Sequence, residues 1–236
     1  MNQYVPLPPV QIRQGGGSLR FDDDVFVDSG RQDVEMLEAA GLQSGWRLVD
    51  FGCGPGRIAI ALIDAGWKGS YLGIEVKSRH VDWATREITS RFPDYRFIKV
   101  DAPNARYNPS GLSPRTLPVQ SNSADMICAF SVFSHMLGVD TAAYLGEFRR
   151  ALTPEGRVLA TFFTADDVPD ETENPYWLGD WTGRLHCVLY STDYLARLIT
   201  EAGLTITARI PPMEYRPQDA LVFGPVRPSR NEKAHA

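Results

Sequence analysis

The chain has 236 residues, 43% hydrophobic and 22% charged, enough for one α/β domain with a lid or a terminal extension. Its formal net charge is −5 and its Lys and Arg residues are scattered, which argues against a nucleic-acid backbone as partner and for a small molecule. No apolar stretch reaches the length of a membrane span, and the N-terminus lacks the basic and apolar blocks of a signal peptide. Cys53, Cys128 and Cys187 have neither the even number of a disulfide framework nor the paired spacing of a zinc site, so the expectation is a cytoplasmic protein without a metal.

Residues 1–27, with PLPP and GGGS, predict an irregular arm. A helix follows, capped at Asp28 or Ser29 and closed by Gly41. The apolar run 46–51 predicts a buried parallel strand that enters a glycine turn. A helix closed by Gly66, a strand over 71–76 and a helix over 78–91 come next, the last with Val81, Ala84 and Ile88 on one face. A third strand spans 95–101, and the turn-rich stretch beyond it predicts a long loop. Then come a strand over 124–131, a helix over 140–152, a TPEG turn and a fifth strand over 157–164. Residues 165–190, acidic and then aromatic, read as a substrate lid. Ser191 caps a last helix ending at Gly203, and strands near 204–210 and 219–223 follow. The alternation predicts a doubly wound, Rossmann-like, seven-stranded α/β sheet with its last strand antiparallel. The domain runs from 28 to 224, and the polar tail, 225–236, is expected to be disordered.

The stretch 48–60, LVDFGCGPGRIAI, places a glycine turn between a strand and a helix, which is a nucleotide-type cradle. A dinucleotide fingerprint needs G-x-G-x-x-G, yet Gly52, Gly54 and Gly56 are spaced G-x-G-x-G and Arg57 occupies the third glycine's place. A phosphate loop fails too, since no Gly-Lys-Ser or Gly-Lys-Thr follows. With Asp50 two residues ahead of Gly52, the pattern resembles motif I of class I S-adenosylmethionine-dependent methyltransferases. YNPSG, SADMICAFSVFSHML, YLGEFRRALTPEGRVLATFF and QDALV extend the likeness to a small bacterial branch with SVFTHM-type segments, over roughly 28–224. Ser134 replaces that branch's Thr, and Glu155 replaces a Gly.

The resemblance implies S-adenosylmethionine as cofactor. Glu75, 19 residues after Gly56, would accept the ribose hydroxyls, and Asp101 would lie near the adenine amino group. Phe130 and Ser131 would flank the methionine portion. The acceptor is expected to be a small molecule, methylated by in-line displacement with the protein aligning it and excluding water. His135 and His186 are the candidate bases, each with an alternative reading: His135 as a brace of its turn, His186 as a structural lid residue. Tyr176, Trp177 and Trp181 line an apolar acceptor pocket, hold the cationic donor by cation–π contact, or simply pack the lid. Tyr95 and Lys99 have a dehydrogenase spacing, but on a strand rather than a helix. Cys53, between two glycines, reads as packing rather than as a nucleophile. The rival functions are an NAD-dependent oxidoreductase and a non-catalytic S-adenosylmethionine-binding regulator.

Overall fold

A computed structural model describes residues 5–13, 18–211 and 217–226. The central sheet holds β1 (Arg47–Phe51), β2 (Ser70–Glu75), β3 (Tyr95–Lys99), β4 (Ala124–Ala129) and β5 (Leu152–Ala165) in the parallel order β3-β2-β1-β4-β5. Two late strands, β8 (Leu204–Ile210) and β9 (Asp219–Pro225), complete it, with β9 antiparallel to both β5 and β8. The seven-stranded core with an antiparallel last strand is therefore present.

Each inner strand is apolar on both faces. Leu48, Met126 and Cys128 point into one core with Leu37 and Leu62, while Val49, Ile127 and Ala129 point into the other with Phe148 and Leu198. The first core carries α2 (Asp23–Ala39), α3 (Arg57–Asp64) and α4 (Ser78–Ala84), and the second carries α5 (Gly138–Ala151) and α6 (Thr192–Glu201). Burial on both faces explains the near-continuous apolar runs that marked these strands.

Several boundaries differ from the sequence reading. α2 begins at Asp23, because the Asp22 carboxylate accepts the Asp24 and Val25 N–H groups and Phe26 is already buried. The arm is thus shorter than 1–27, and a single turn, α1 (Ser18–Phe21), precedes α2. The helix at 78–91 breaks after Ala84 into a π turn over Thr85–Thr89. β5 starts at Leu152: its pairing with β4 jumps from Ala124–Leu152 to Met126–Arg157, so TPEG bulges out within the strand. The lid region contains a hairpin, β6 (Glu171–Glu173) and β7 (Val188–Ser191), with β7 pairing the end of β5 beyond the reach of β9. The predicted disordered tail lies outside the described residues beyond Val226.

Candidate active site

The carboxyl ends of β1, β2 and β4 open onto one cleft of about 670 Å³, as the doubly wound plan requires. At its floor Gly52, Gly54 and Gly56 have φ of +81°, +55° and +89°, a left-handed path that disfavours any residue with a side chain. A Cβ at Gly52 would overlap Val132, and one at Gly56 would lie 2.9 Å from Ile88 Cδ1. Gly52, Cys53, Gly54 and Pro55 line the cleft. Gly56 does not line it; it is the N-cap of α3. Burial pushes the Cys53 thiol well up, which removes it as a nucleophile.

Arg57 has a use where a dinucleotide fold needs glycine. Its guanidinium runs back to α2 and pairs with the buried Asp33 at 2.7 Å. Gly30 admits it: a Cβ there would sit 3.1 Å from Arg57 O and 3.2 Å from Arg57 Cγ. Neither Gly30 nor Asp33 was legible as part of the turn, because the contact spans two helices.

Asp50 does not line the cleft. It lies under the turn, 2% exposed, and accepts a 2.5 Å hydrogen bond from the Tyr71 hydroxyl. Burial pushes its pKa up to about 7, with the Tyr71 bond opposing. Its position makes it a support of the turn rather than a ligand contact. Asp101 is also displaced from the expected role: its carboxylate accepts from Asn108 Nδ2 at 3.1 Å and Leu112 N–H at 3.3 Å, and it is not among the lining residues. The Asn108 bond holds its pKa below the usual value. The neighbouring Ala102 lines the cleft instead.

Glu75 is on the lining and 5% exposed. Its Oε1 accepts the Val76 and Lys77 N–H groups at 2.7 and 3.0 Å, and Oε2 faces His80 Nδ1 at 3.3 Å. Burial works to raise its pKa, but His80 and the two N–H donors outweigh it and the carboxyl stays below the ordinary range. Its carboxylate is thus a fixed acceptor on the cleft wall, charged across the neutral range.

After β4, Ser131 has φ +55°, its N–H donates to Thr161 Oγ1 at 2.7 Å and its hydroxyl donates to Gln218 Oε1 at 3.1 Å. Phe130 and Ser131 both line the cleft. So do His135 and His186, but their hydrogen bonds assign them different chemistry. His135 Nδ1 lies 3.0 Å from the Leu185 carbonyl, which can only accept, so Nδ1 carries the proton and Nε2 the lone pair. Burial brings His135 down to about 4, and it is neutral at physiological pH. His186 Nδ1 accepts the Thr182 N–H at 2.9 Å, which leaves Nε2–H as a donor. Of the two candidate bases, His135 is the one whose Nε2 carries a lone pair in this arrangement.

The loop from 101 to 112 forms a wall that sequence reasoning left blank. Asn104 accepts the Arg106 and Tyr107 N–H groups at 3.0 Å each and donates to the His135 carbonyl at 2.9 Å. Tyr107 meets the His135 ring edge-on at 5.1 Å, with Lys77 Nζ 4.3 Å above its own ring. Arg106 donates to Thr182 O at 3.0 Å, tying this wall to the lid. Of the lid aromatics, Trp181 lines the cleft and packs on His186, while Tyr176 and Trp177 are exposed. Tyr95 and Lys99 do lie on β3, outside the cleft. Among the described residues, no group of three or more His, Cys, Asp or Glu side chains could hold a metal. No helix among them is long and apolar enough to cross a membrane.

Solved structures share this architecture. The PH0226 protein from Pyrococcus horikoshii OT3 superposes with a TM-score of 0.63 at 17% identity, covering 90% of this chain and 100% of that one. Magnesium protoporphyrin IX methyltransferase from Synechocystis PCC 6803, crystallised with bound S-adenosylmethionine, gives 0.60 at 14% identity over 92% and 88%. The [4+2]-cyclase SpnF gives 0.62 at 19% over 84% and 82%, so the shared fold does not by itself name the chemistry. The sequence is more specific, for a family model described as a methyltransferase domain matches residues 30–209. That match covers most of the chain, and the chain belongs to this methyltransferase family.

Proposed function

We propose that this chain transfers a methyl group from S-adenosylmethionine to a small-molecule acceptor. The observation that carries the reading is the pairing of the left-handed glycine turn 52–56 with the buried Glu75 on one cleft wall. Bound there, S-adenosylmethionine supplies a methyl group already activated on a sulfonium. Glu75 is the residue to hold the ribose hydroxyls, since it is the carboxylate that lines the cleft at the end of β2. Gly52 to Pro55 let backbone approach closely, and Phe130 and Ser131 close the far side. His135, neutral with its Nε2 lone pair available, takes the acceptor's proton, while His186 orients the acceptor by donating from Nε2. Trp181 and the Arg106 strap cover the lid side and exclude water. The three buried, unpaired cysteines suit a reducing cytoplasm.

Calorimetry with S-adenosylmethionine, S-adenosylhomocysteine and NAD tests the cofactor, and mass spectrometry of an acceptor screen tests the transfer. Binding of both adenosyl compounds and a gain of one methyl in product is the expected result. NAD binding in their place would overturn the assignment, and cofactor binding with no methylated product from any acceptor would leave a regulator.

A further inference from the structure

We propose that the acceptor is an acidic small molecule whose carboxylate or phosphate is received by Arg106 at the lid end of the cleft. This inference rests on the methyltransferase reading above. Six cationic side chains line the cleft, namely Arg13, Arg20, Arg57, Lys77, Arg79 and Arg106, against one carboxylate, Glu75. That concentration is opposite in sign to the chain's net charge of −5. Two of the six are neutralised, Arg13 by Asp23 at 2.6 Å and Arg57 by Asp33 at 2.7 Å. Among the described residues, no carboxylate lies at ion-pair distance from Arg20, Lys77, Arg79 or Arg106. The cofactor accounts for one cation at most through its own carboxylate, and it brings an ammonium and a sulfonium. A loaded cleft is therefore strongly positive until an anion enters, and complementarity favours an acceptor that carries one.

Arg106 is the receiving residue for three reasons. Its Nε is buried with no hydrogen-bond partner, an unmade bond that a ligand oxygen would satisfy. Its Nη1 is anchored on the Thr182 carbonyl, which fixes the guanidinium between the Asn104 loop and the lid. Its charge is felt at both His135 and His186, which places it at the end of the cleft where the proton is handled. Tyr107, with the Arg106 guanidinium 5.6 Å from its ring centroid, and Trp181, against His186, also line the cleft, so aromatic acids are suitable probes.

The test uses the full chain saturated with S-adenosylhomocysteine, titrated at low salt with benzoate, phenyl phosphate and benzyl alcohol by ligand-observed NMR. Both anions are expected to bind more tightly than benzyl alcohol, and Arg106→Gln should weaken them about tenfold or more. Arg96→Gln, which removes an equal charge from an exposed position on β3 outside the cleft, should change neither. The ratio of phenyl phosphate to benzoate affinity tells which acid the site takes. Benzyl alcohol binding as tightly as the anions, or anion binding unchanged in Arg106→Gln, overturns the proposal. Retained S-adenosylhomocysteine affinity in the variant certifies its fold. Failure of wild type to bind S-adenosylhomocysteine sinks the methyltransferase reading instead.

Discussion

Replacing Asp50 by Asn isolates the carboxyl under the glycine turn. In the folded chain this group keeps its proton up to about pH 7, against an ordinary value of 3.8, because burial penalises the charge more than Tyr71 and Arg57 relieve it. Between those values the folded state binds one more proton than the unfolded state, so stability falls as pH rises, and the loss is complete above about 7. The separation of the two values corresponds to about 4 kcal/mol, and the part falling between pH 5 and 7 to about 2–3 kcal/mol. Asn cannot ionise, yet its oxygen still accepts from the Tyr71 hydroxyl. Urea unfolding followed by tryptophan fluorescence at pH 5, 6, 7 and 8 gives the difference between the two proteins, in which every other titrating group cancels. The variant should gain on wild type by about 2–3 kcal/mol across that range. Parallel stability curves would refute the argument, because they would mean that Asp50 is ionised, or equally solvated, in both states.

At the neighbouring strand end, Glu75→Gln should weaken S-adenosylhomocysteine binding by about 1–3 kcal/mol, measured by calorimetry; an unchanged dissociation constant removes Glu75 from the cofactor site. The folded carboxyl titrates below its ordinary value, so wild type keeps Glu75's contribution to stability above the unfolded pKa and loses it as pH falls through the lower folded one. Gly52→Ala, at φ +81° and against Val132, should cost about 1–3 kcal/mol in thermal unfolding, and a neutral effect would show that the turn is not held in this conformation. Nitrogen-15 NMR should find His135 neutral down to near pH 5 as the Nδ1–H tautomer and His186 neutral as the Nε2–H tautomer; the opposite pair would return His186 to the role of base. His135→Gln should then reduce methyl transfer by about 100-fold or more with S-adenosylhomocysteine affinity intact, which a turn-bracing residue would not do so selectively.

The glycine turn and the Glu75 wall of the cleft were readable because their determinants are local. Gly52, Gly54 and Gly56 stand within five consecutive residues, and Glu75 is positioned by the end of one strand. Strand burial on both faces made β1, β4 and β5 visible as apolar runs. Asp50 and Asp101 show where adjacency misled: the first stands next to the last residue of β1 and the second just beyond β3, but strand alternation sends the first under the turn, and two loop donors draw the second away. The start of α2 was missed because Asp22 caps as well as Asp28 or Ser29 would, and only the burial of Phe26 selects it. The β6–β7 hairpin was missed because its strands of three and four residues are held by the overhanging end of β5 rather than by their own pattern.

The lid side of the cleft depends on pairs far apart in the chain, such as Arg106 with Thr182 and His135 with Leu185. No spacing rule relates such residues, and each looks like an ordinary loop residue until the fold brings it to a partner. The division follows from the reaction. Displacement at a sulfonium asks the protein for one shaped cofactor cradle, which a short turn can build. Selecting an acceptor asks for charge and shape contributed by several walls at once: the loop carrying Asn104, the turn after β4, and the lid. Loops that need not preserve the cradle are free to vary their charges, so specificity is concentrated where sequence patterns are weakest. In this chain those walls contribute one lining cation, Arg106, and no lining carboxylate, and the proposal of an acidic acceptor rests on that residue rather than on any motif.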